Sequence, residues 1–391
     1  MNFIKNTVLF VVILGSFTVA CSQSPKELLT AAQQTDLYLP FLKGKKVGFV
    51  GNHNSVIKSP KGYRHMVDSL VKLGINIVKV FGPEHGFRGN APDGEIIKDG
   101  KDLKTGIPIV SLYWKNKKPS AEQLSDIDLM LFDMQSVGAR FYTYLSTLHL
   151  VMEACAENNI PLIILDRPNP NGHYIDGPVL DLNHSTFVGM HPIPIVYGMT
   201  LGEMAQMIIG EEWLDTLTPL NLKVIPLANY SRQEGIELPF PPSPNLPNAQ
   251  AVALYPSLCL LEPTKISIGR GTNKQFQIYG HPDFKSDYQF TPQPNEGSKH
   301  PKLEGKLCKG INLQTESKPQ KIRLKYLLKA YVDSPNKDDF FLDSFERIAG
   351  NAILRKQIQQ GMNASQIRAS WEPKLSQFKQ KRKKYLIYPD E

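Results

Sequence analysis

Short apolar runs alternate with helical patterns along the first half of the chain. The runs are residues 46–51, 75–81, 107–112, 127–133 and 160–166. Between the first two, Met66, Leu70 and Leu73 fall on one helical face, and a glycine follows as a stop signal. Residues 144–159 predict a second, longer helix. Strands that are apolar on both faces and separated by helices indicate a parallel sheet covered on both sides. The pattern therefore predicts an α/β fold.

The pattern changes after about residue 215. A proline-dense segment, "ELPFPPSPNLPNAQ", is followed by helical stretches mixed with short strands. We interpret this part as a smaller α+β domain that closes a cleft against the sheet. The predicted organisation is a tether and lead-in at residues 22–40, the sheet domain at 41–235 and the second domain at 236–391.

The N-terminus has the features of an export signal. Lys5 precedes the apolar run "VLFVVILG", which is too short to span a membrane, and "SFTVAC" then places Ala20 directly before Cys21. The segment resembles a bacterial lipobox, so we expect residues 1–21 to be a lipoprotein signal in which Cys21 is lipidated. Cleavage of a plain signal peptide nearby is the alternative. In both cases we expect an exported protein, and in the first a membrane-anchored one facing the periplasm or the cell surface.

Composition and charge add little to this picture. The 391 residues favour two domains, and a hydrophobic content of 41% is enough for a large core. A net charge of +8 weakly favours anionic partners, but in an exported protein the basic run at residues 379–384 is better read as a solvated helix end than as a nucleic-acid site. Cys155, Cys259 and Cys308 show neither a disulfide framework nor zinc-ligand spacing.

Polar residues cluster just after four of the predicted strands, where ligands bind in open α/β sheets. They are Asn52 and His53 after the first strand; Glu84, His85 and Arg88 after the second; Asp133, Gln135, Arg140 and Tyr142 after the fourth; and Asp166 and Asn169 after the fifth. Loops that carry so many acidic, basic and imidazole groups at one edge predict an active site. For Asp133 and Asp166, capping of a turn is the structural alternative. Because Tyr142 and Tyr144 are two apart at a helix start, we expect at most one of them to face the site.

The sequence lacks the motifs that are typical of several classes of enzyme. The chain has no G-x-G-x-x-G or Walker motif for a nucleotide and no G-x-S-x-G for a nucleophilic serine. A metal site could be assembled from His53, His85, Asp133 and His191, but no two of them have the spacing that places ligands on one helical face. We therefore expect neither a cofactor nor a metal.

The remaining possibility is catalysis by the carboxyl groups of Asp and Glu. Glycoside hydrolysis uses one carboxylic acid to protonate the leaving oxygen and often a second as base or nucleophile. Glu84 suits the acid role because it follows an apolar strand, and partial desolvation favours its neutral form. The candidates for the second carboxylate are Glu95, Asp133, Asp166 and Glu262, and those for binding an anionic substituent are Arg88, Arg140 and Arg270.

Six short segments of the sequence resemble those of a known protein family. They are "PEHGFRG", "FDMQSVGARFYTYLSTLHLVMEACAE", "LDRPNPNGHYIDGPVLD", "FVGMHPIPIVYGMTLGEMA", "PPSPNLP" and "EPTKISIGRGT". In this order they resemble a bacterial exo-β-N-acetylmuramidase family that was long known only as a domain of unknown function. The resemblance covers nearly all of residues 40–390. It implies a Rossmann-like N-terminal domain, a smaller C-terminal domain, and release of N-acetylmuramic acid from the non-reducing ends of peptidoglycan fragments.

The resemblance also implies roles for individual residues. It makes Glu84 the leading catalytic residue and places Glu262 in the family's second acidic block. Within this reading, we expect His85 and Asp133 to orient Glu84 or the sugar, and Arg140 or Arg270 to hold the lactyl carboxylate of muramic acid. The other predicted substrate contacts are Asn52, His53, Arg88, Gln135, Tyr142, Asp166, Asn169 and His191. A non-catalytic glycan-binding lipoprotein and a metal-dependent hydrolase are the alternatives.

Overall fold

A computed structural model describes residues 27–84, 86–88, 100–232 and 236–390 of the chain. The predicted lipoprotein signal with Cys21 lies outside the described residues, and so do His85 and Glu95. None of the helices in the described part is both long and apolar enough to cross a membrane.

The secondary structure of the described residues alternates in the first half and is mainly helical at the end. The strands are β1 (Lys46–Gly51), β2 (Val56–Ser59), β3 (Gly62–His65), β4 (Asn76–Gly82), β5 (Gly100–Lys101), β6 (Pro108–Ser111), β7 (Leu129–Asp133), β8 (Leu162–Leu165), β9 (Leu222–Ile225), β10 (Ile278–His281), β11 (Tyr288–Phe290) and β12 (Cys308–Asn312). The α-helices are α1 (Leu39–Leu42), α2 (Met66–Lys72), α3 (Ala121–Leu124), α4 (Tyr144–Glu157), α5 (Leu201–Gly210), α6 (Ala249–Leu258), α7 (Lys325–Asp333), α8 (Phe345–Ala349), α9 (Ile353–Gln359) and α10 (Ala364–Arg382).

The central sheet has seven strands in the order β5-β6-β4-β1-β7-β8-β9. All of the neighbouring pairs are parallel except β5 with β6. Numbered along the chain, the parallel strands run 3-2-1-4-5-6, which is the strand order of a dinucleotide-binding Rossmann sheet. The predicted Rossmann-like sheet is confirmed, and β9 extends it by one edge strand that the apolar pattern did not indicate.

Alternate residues of each central strand pack into two different cores. Phe49 and Leu131 point to one core, which is completed by α1 and α2. Val50 and Phe132 point to the other, which contains α4, α5 and α6. Because successive side chains of a strand face opposite sides, a strand buried on both faces must be apolar throughout. This explains the continuous apolar runs and confirms helices on both faces of the sheet.

The C-terminal part is smaller and mixed, as predicted. It contains a three-stranded antiparallel sheet in the order β10-β12-β11 together with α6 to α10. Its core is continuous with the α4 and α5 side of the central sheet. The chain then returns to the first part, where the Tyr388 hydroxyl donates a 2.6 Å hydrogen bond to Asp166 at the end of β8. The two parts are therefore joined by a shared core and by the C-terminal segment.

Candidate active site

A cleft with a volume of about 760 Å³ opens at the carboxyl edge of the sheet. Glu84 at the end of β4, Trp114 after β6 and Tyr142 after β7 form one part of its lining. The C-terminal part of the chain contributes Glu262 and Arg270. Pockets that bind small molecules measure roughly 300–1,000 Å³. This cleft is therefore the candidate active site.

The turn after β4 positions Glu84. The amide of Gly86 donates to the Pro83 carbonyl at 2.9 Å, and Gly86 has a φ of +75°, a left-handed conformation that favours glycine. The Glu84 side chain is half-buried, and its Oε2 accepts a 3.3 Å hydrogen bond from the Thr143 hydroxyl. The proline and the glycine thus hold a carboxyl group at the wall of the cleft.

A second carboxyl group, that of Glu262, lines the same cleft. Arg270 donates to it from Nε at 2.6 Å and from Nη2 at 3.0 Å, a bidentate pair in which both side chains are about one-quarter exposed. Beneath it, the Lys302 ammonium donates to the carbonyls of Glu262, at 2.7 Å, of Thr264 and of Ile266. Burial lowers the pKa of Lys302 to about 8. Side chain and backbone of Glu262 are therefore both held in place.

Tyr142 and Tyr144 both line the cleft. Their ring centroids are 4.8 Å apart, and Tyr255 and Phe276 continue the aromatic wall. The expectation that at most one tyrosine would face the site was wrong, because α4 begins at Tyr144 and Tyr142 lies in the turn before it. The Tyr142 hydroxyl donates a 2.7 Å hydrogen bond to the Pro242 carbonyl, and burial raises the pKa of this hydroxyl, which keeps it protonated.

Arg140 lies outside the cleft lining, which corrects its predicted role as a substrate clamp. Its side chain is buried, and its two terminal nitrogens donate to four backbone carbonyls at 2.8–3.0 Å. The acceptors are Pro178, Ile193, Ile348 and Ala349. Burial lowers the pKa of Arg140 to about 9. Arg140 therefore anchors α8 to the first part of the chain.

Arg88 forms its hydrogen bonds with two acidic residues that do not line the cleft. Its guanidinium donates to Asp68 at 2.9 Å and to Asp102 at 2.7 and 3.0 Å, and it lies 4.6 Å from the ring centroid of Phe87. Burial raises the pKa of Asp102, but the hydrogen bonds from Arg88 and Thr105 outweigh burial and bring it down to about 2. Arg88 thus forms an ion-pair network and is not among the described residues that line the cleft, and its role as a substrate contact stays a prediction.

The polar residues after β7 support the fold beneath the site. The Asp133 carboxylate accepts two hydrogen bonds from Arg167, at 2.6 and 2.9 Å, and is fully buried. Burial raises the pKa of Asp133, and the Arg167 guanidinium opposes that shift. The Gln135 amide donates to the carbonyls of Ser136 and Pro168, each at 2.7 Å. Neither Asp133 nor Gln135 lines the cleft, so both predicted contacts with the catalytic group or the sugar are corrected.

The residues after β8 join the sheet to α5 and to the C-terminus. Asp166 is fully buried and accepts hydrogen bonds from the hydroxyls of Thr200 and Tyr388 and from the amide of Gly202. Burial raises the pKa of Asp166 to about 6. The Asn169 amide donates to the Met199 carbonyl at 2.8 Å. The capping alternative therefore describes Asp166 better than a substrate contact does, and Asn169 is likewise internal.

The last three predicted contacts also lie outside the cleft lining; Asn52 and His191 are buried, whereas His53 is half-buried. Asn52 is buried and donates a 2.7 Å hydrogen bond to the Tyr144 hydroxyl, so it supports a residue of the cleft rather than lining it. His53 bonds to the Pro241 carbonyl at 2.9 Å, and burial lowers its pKa. His191 is buried 3.0 Å from a ring nitrogen of His149, and burial lowers its pKa to about 3.

No group of three His, Cys, Asp or Glu side chains arranged to hold a metal ion occurs among the described residues. His85, which was predicted to orient Glu84, lies outside them. Of the predicted site residues, the structure brings together Glu84, Tyr142, Glu262 and Arg270 at the cleft.

The predicted site residues leave out most of the cleft lining, including four large or charged side chains. Trp114, Lys117, Phe187 and Arg347 all line the cleft. Trp114 and Lys117 follow β6 at the same edge as the predicted clusters, so the rule that indicated Glu84 also applied to them. Phe187 and Arg347 follow no strand of the central sheet, and no local pattern pointed to either.

Both domain families named exo-beta-N-acetylmuramidase NamZ match the chain. The N-terminal family covers residues 47–250 and the C-terminal family residues 253–388. The peptidoglycan beta-N-acetylmuramidase NamZ of Bacillus subtilis (strain 168) is 39% identical over 380 residues, which is 90% of this chain and 89% of that protein.

Two crystal structures of DUF1343 family proteins from Bacteroides fragilis share the fold. One is 44% identical, with a TM-score of 0.86 over 93% of this chain and 100% of the other. The second is 27% identical, with a TM-score of 0.81 over 93% of this chain and 99% of the other. The shared fold, the matched domains and the curated relative agree, and this chain belongs to the exo-β-N-acetylmuramidase NamZ family.

Proposed function

We propose that this protein is an exo-acting glycosidase that releases N-acetylmuramic acid from the non-reducing ends of peptidoglycan fragments during cell-wall turnover. Membership in the NamZ family supports the reaction class and the substrate. The observation that carries the proposal is the presence of two carboxyl groups, Glu84 and Glu262, in one cleft of ligand size. Two carboxyl groups that flank a sugar are the usual machinery of glycoside hydrolysis.

Glu84 is the general acid in this proposal. Its side chain is half-buried in the wall of the cleft, close to the aromatic side chains that line it. A neutral Glu84 gives its proton to the glycosidic oxygen as the bond to the anomeric carbon breaks. Glu262 is the second carboxylate, and the two hydrogen bonds from Arg270 stabilise its negative charge.

The test is Glu84→Gln, assayed on a chromogenic β-glycoside of N-acetylmuramic acid. The amide keeps the size of the side chain but has no proton to give, so we expect a loss of about 10²–10⁴-fold in kcat, the usual worth of a general acid. Glu304→Gln is the matched control, because Glu304 is exposed and does not line the cleft. Both variants should unfold at the wild-type temperature. Wild-type activity in a folded Glu84→Gln protein would falsify the assignment.

A non-catalytic glycan-binding protein is the second candidate. Trp114 favours it, because this tryptophan lines the cleft and is 55% exposed, as expected of a platform on which a sugar ring packs. Such a protein would bind muramic-acid saccharides saturably and release no sugar from them. Incubating the purified protein with reduced peptidoglycan fragments and measuring free N-acetylmuramic acid separates the two functions. For the metal-dependent alternative, loss of activity with a chelator and its return with metal is the corresponding test.

We propose further that the protein is exported and anchored through a lipid on Cys21. The support is the sequence of residues 1–21, with its short apolar run and a small residue before the cysteine. Labelling with a radioactive fatty acid and membrane fractionation test the proposal. Wild-type protein should carry label and sediment with membranes, whereas Cys21→Ser should lose both properties. Soluble, unlabelled wild-type protein would favour plain signal-peptide cleavage.

A further inference from the structure

Two cations on the wall of the cleft lack an ionic partner in the described part of the chain. Lys117 and Arg347 both line the cleft, and neither forms an ion pair or a side-chain hydrogen bond with another described residue. The third cation of the lining, Arg270, differs because Glu262 neutralises it. The cleft therefore carries positive charge that its own described carboxylates do not balance.

Lys117 is held toward the cleft by an aromatic ring. Its Nζ lies 4.5 Å from the ring centroid of Phe187, which lines the cleft beside it. The next residue shows the opposite arrangement, because the Lys118 ammonium bonds to Glu153 at 3.1 Å and to Glu157 at 2.8 Å on α4. Of two adjacent lysines, Lys118 is thus paired with acidic residues of α4, and Lys117 lines the cleft.

Arg347 is carried by α8, and the buried Arg140 guanidinium holds that helix in position. Arg140 donates to the carbonyls of Ile348 and Ala349, both at 3.0 Å, directly after Arg347. The segment with Phe187 packs on the same anchor, because a Cβ at Gly189 would lie 3.5 Å from the Arg140 Cδ. The Arg140 side chain therefore contacts both α8, which carries Arg347, and the segment with Phe187, on which Lys117 packs. This is the role that the structure assigns to Arg140 in place of a direct substrate contact.

The proposed substrate carries a negative charge that is complementary to these two cations. N-acetylmuramic acid differs from N-acetylglucosamine only by the lactyl ether on O3, which ends in a carboxylate. Arg270, predicted from the sequence as a clamp for this carboxylate, is already paired, and Arg140 is buried. We propose that Lys117 and Arg347 bind the lactyl carboxylate of the terminal N-acetylmuramic acid and thereby select this sugar over N-acetylglucosamine. The inference rests on the proposed function for its choice of sugar.

A binding experiment tests the proposal without depending on turnover. The probes are free N-acetylmuramic acid, its lactyl methyl ester and N-acetylglucosamine, and their Kd values are measured by calorimetry on the purified protein. None of them has a glycosidic bond to cleave. The variants are Lys117→Met, Arg347→Met and the double variant, with Lys115→Met as the matched control because Lys115 is exposed and outside the cleft lining.

The wild type should bind the free acid at least about tenfold more tightly than the ester or N-acetylglucosamine, in line with the strength of a charge-assisted hydrogen bond. Each single variant should lose about tenfold in affinity for the acid and nothing for the two neutral sugars, and Lys115→Met should behave as wild type. Equal losses for all three sugars, or an unchanged Kd for the acid, would overturn the proposal.

The proposed function has a separate readout in the same preparation. If the wild type binds the acid through Lys117 and Arg347 but releases no sugar from the chromogenic muramide, the proposed function is wrong and the carboxylate site stands. If it hydrolyses the muramide and the two variants keep the wild-type KM and Kd, the function stands and the carboxylate site is wrong. In the supported case, KM for the muramide rises in the variants, whereas kcat changes little because neither cation acts on the glycosidic bond.

Discussion

Arg270 holds the carboxylate of Glu262 with two hydrogen bonds, from Nε at 2.6 Å and from Nη2 at 3.0 Å. A lysine cannot reproduce this planar fork, because its ammonium is a single point of charge. We therefore expect Arg270→Lys to lower kcat/KM by at least about tenfold, since charge-assisted hydrogen bonds are worth about 1.5–3 kcal/mol. Steady-state kinetics on the chromogenic muramide measures this.

Glu262→Gln should reduce activity by at least as much, and the double variant should lose less than the two single losses combined because the residues act as one unit. Arg323→Lys is the matched control, since Arg323 pairs with Glu316 outside the cleft lining. Additive losses, or equal effects of Arg270→Lys and Arg323→Lys, would show that the pair has no special part in the reaction.

Gly350 gives a test of the Arg140 anchor. It has a φ of +81°, and a Cβ there would lie 2.4 Å from a terminal nitrogen of Arg140. Gly361 has a similar φ of +75° but nothing within 4 Å. We expect Gly361→Ala to cost about 1–2 kcal/mol, the price of the left-handed backbone. Gly350→Ala should cost about 1–3 kcal/mol more because the anchor must move.

Denaturant unfolding of the two glycine variants measures the difference. Since Arg140 sets the position of α8, Gly350→Ala should also raise KM for the muramide, whereas Gly361→Ala should not. Equal unfolding free energies for the two variants would mean that the Arg140 guanidinium shifts at no cost and anchors nothing.

Asp133 should matter for stability and little for substrate binding. Its carboxylate is fully buried against Arg167, and removal of one partner from a buried ion pair leaves the other charge uncompensated. Asp133→Asn should therefore lower the free energy of unfolding by about 3–5 kcal/mol. Asp126→Asn, at a partly exposed pair with Lys79, should change it by no more than about 1 kcal/mol.

The same Asp133→Asn protein, assayed well below its unfolding temperature, should keep the wild-type KM. A large rise in KM with unchanged stability would return Asp133 to the role that the sequence suggested for it, as a residue that orients the catalytic group or the sugar.

The lowered pKa of Glu153 predicts how the free energy of unfolding changes at acidic pH. Burial raises the pKa of this carboxyl, but hydrogen bonds from His149, from Lys118 and from the Asp215 amide outweigh burial and lower it to about 2, from 4.5. Because the folded state lowers the pKa, the ionised group stabilises the protein above pH 4.5. That contribution is lost as the pH falls from 4.5 toward 2.

Unfolding free energies measured across that range should therefore fall less steeply for Glu153→Gln than for the wild type. Glu304→Gln, at an exposed position, should follow the wild-type slope. Parallel slopes for all three proteins would contradict the assigned pKa.

Much of the fold could be predicted from local pattern. The strands β1, β7 and β8 were indicated because they are buried on both faces and are therefore apolar almost throughout. The strands β4 and β6 were indicated although they are only partly buried, because their residues are still mostly apolar. The edge strand β9 was missed because half-buried residues, such as Leu222 and Val224, give no continuous run. Glu84 was identifiable for a similar local reason, since a parallel sheet delivers whatever follows its strands to one edge.

The sequence by itself determined which residues come to that edge, and only the tertiary structure decided which of them face a ligand. Arg140, Asp133 and Asp166 looked like site residues by type and position, yet each is buried and hydrogen-bonded to internal partners. Conversely, Arg347 reaches the cleft on α8, a helix that Arg140 holds across 208 positions of sequence. A buried polar group must find a partner wherever the fold places one, and that choice depends on contacts between distant segments that no local pattern records.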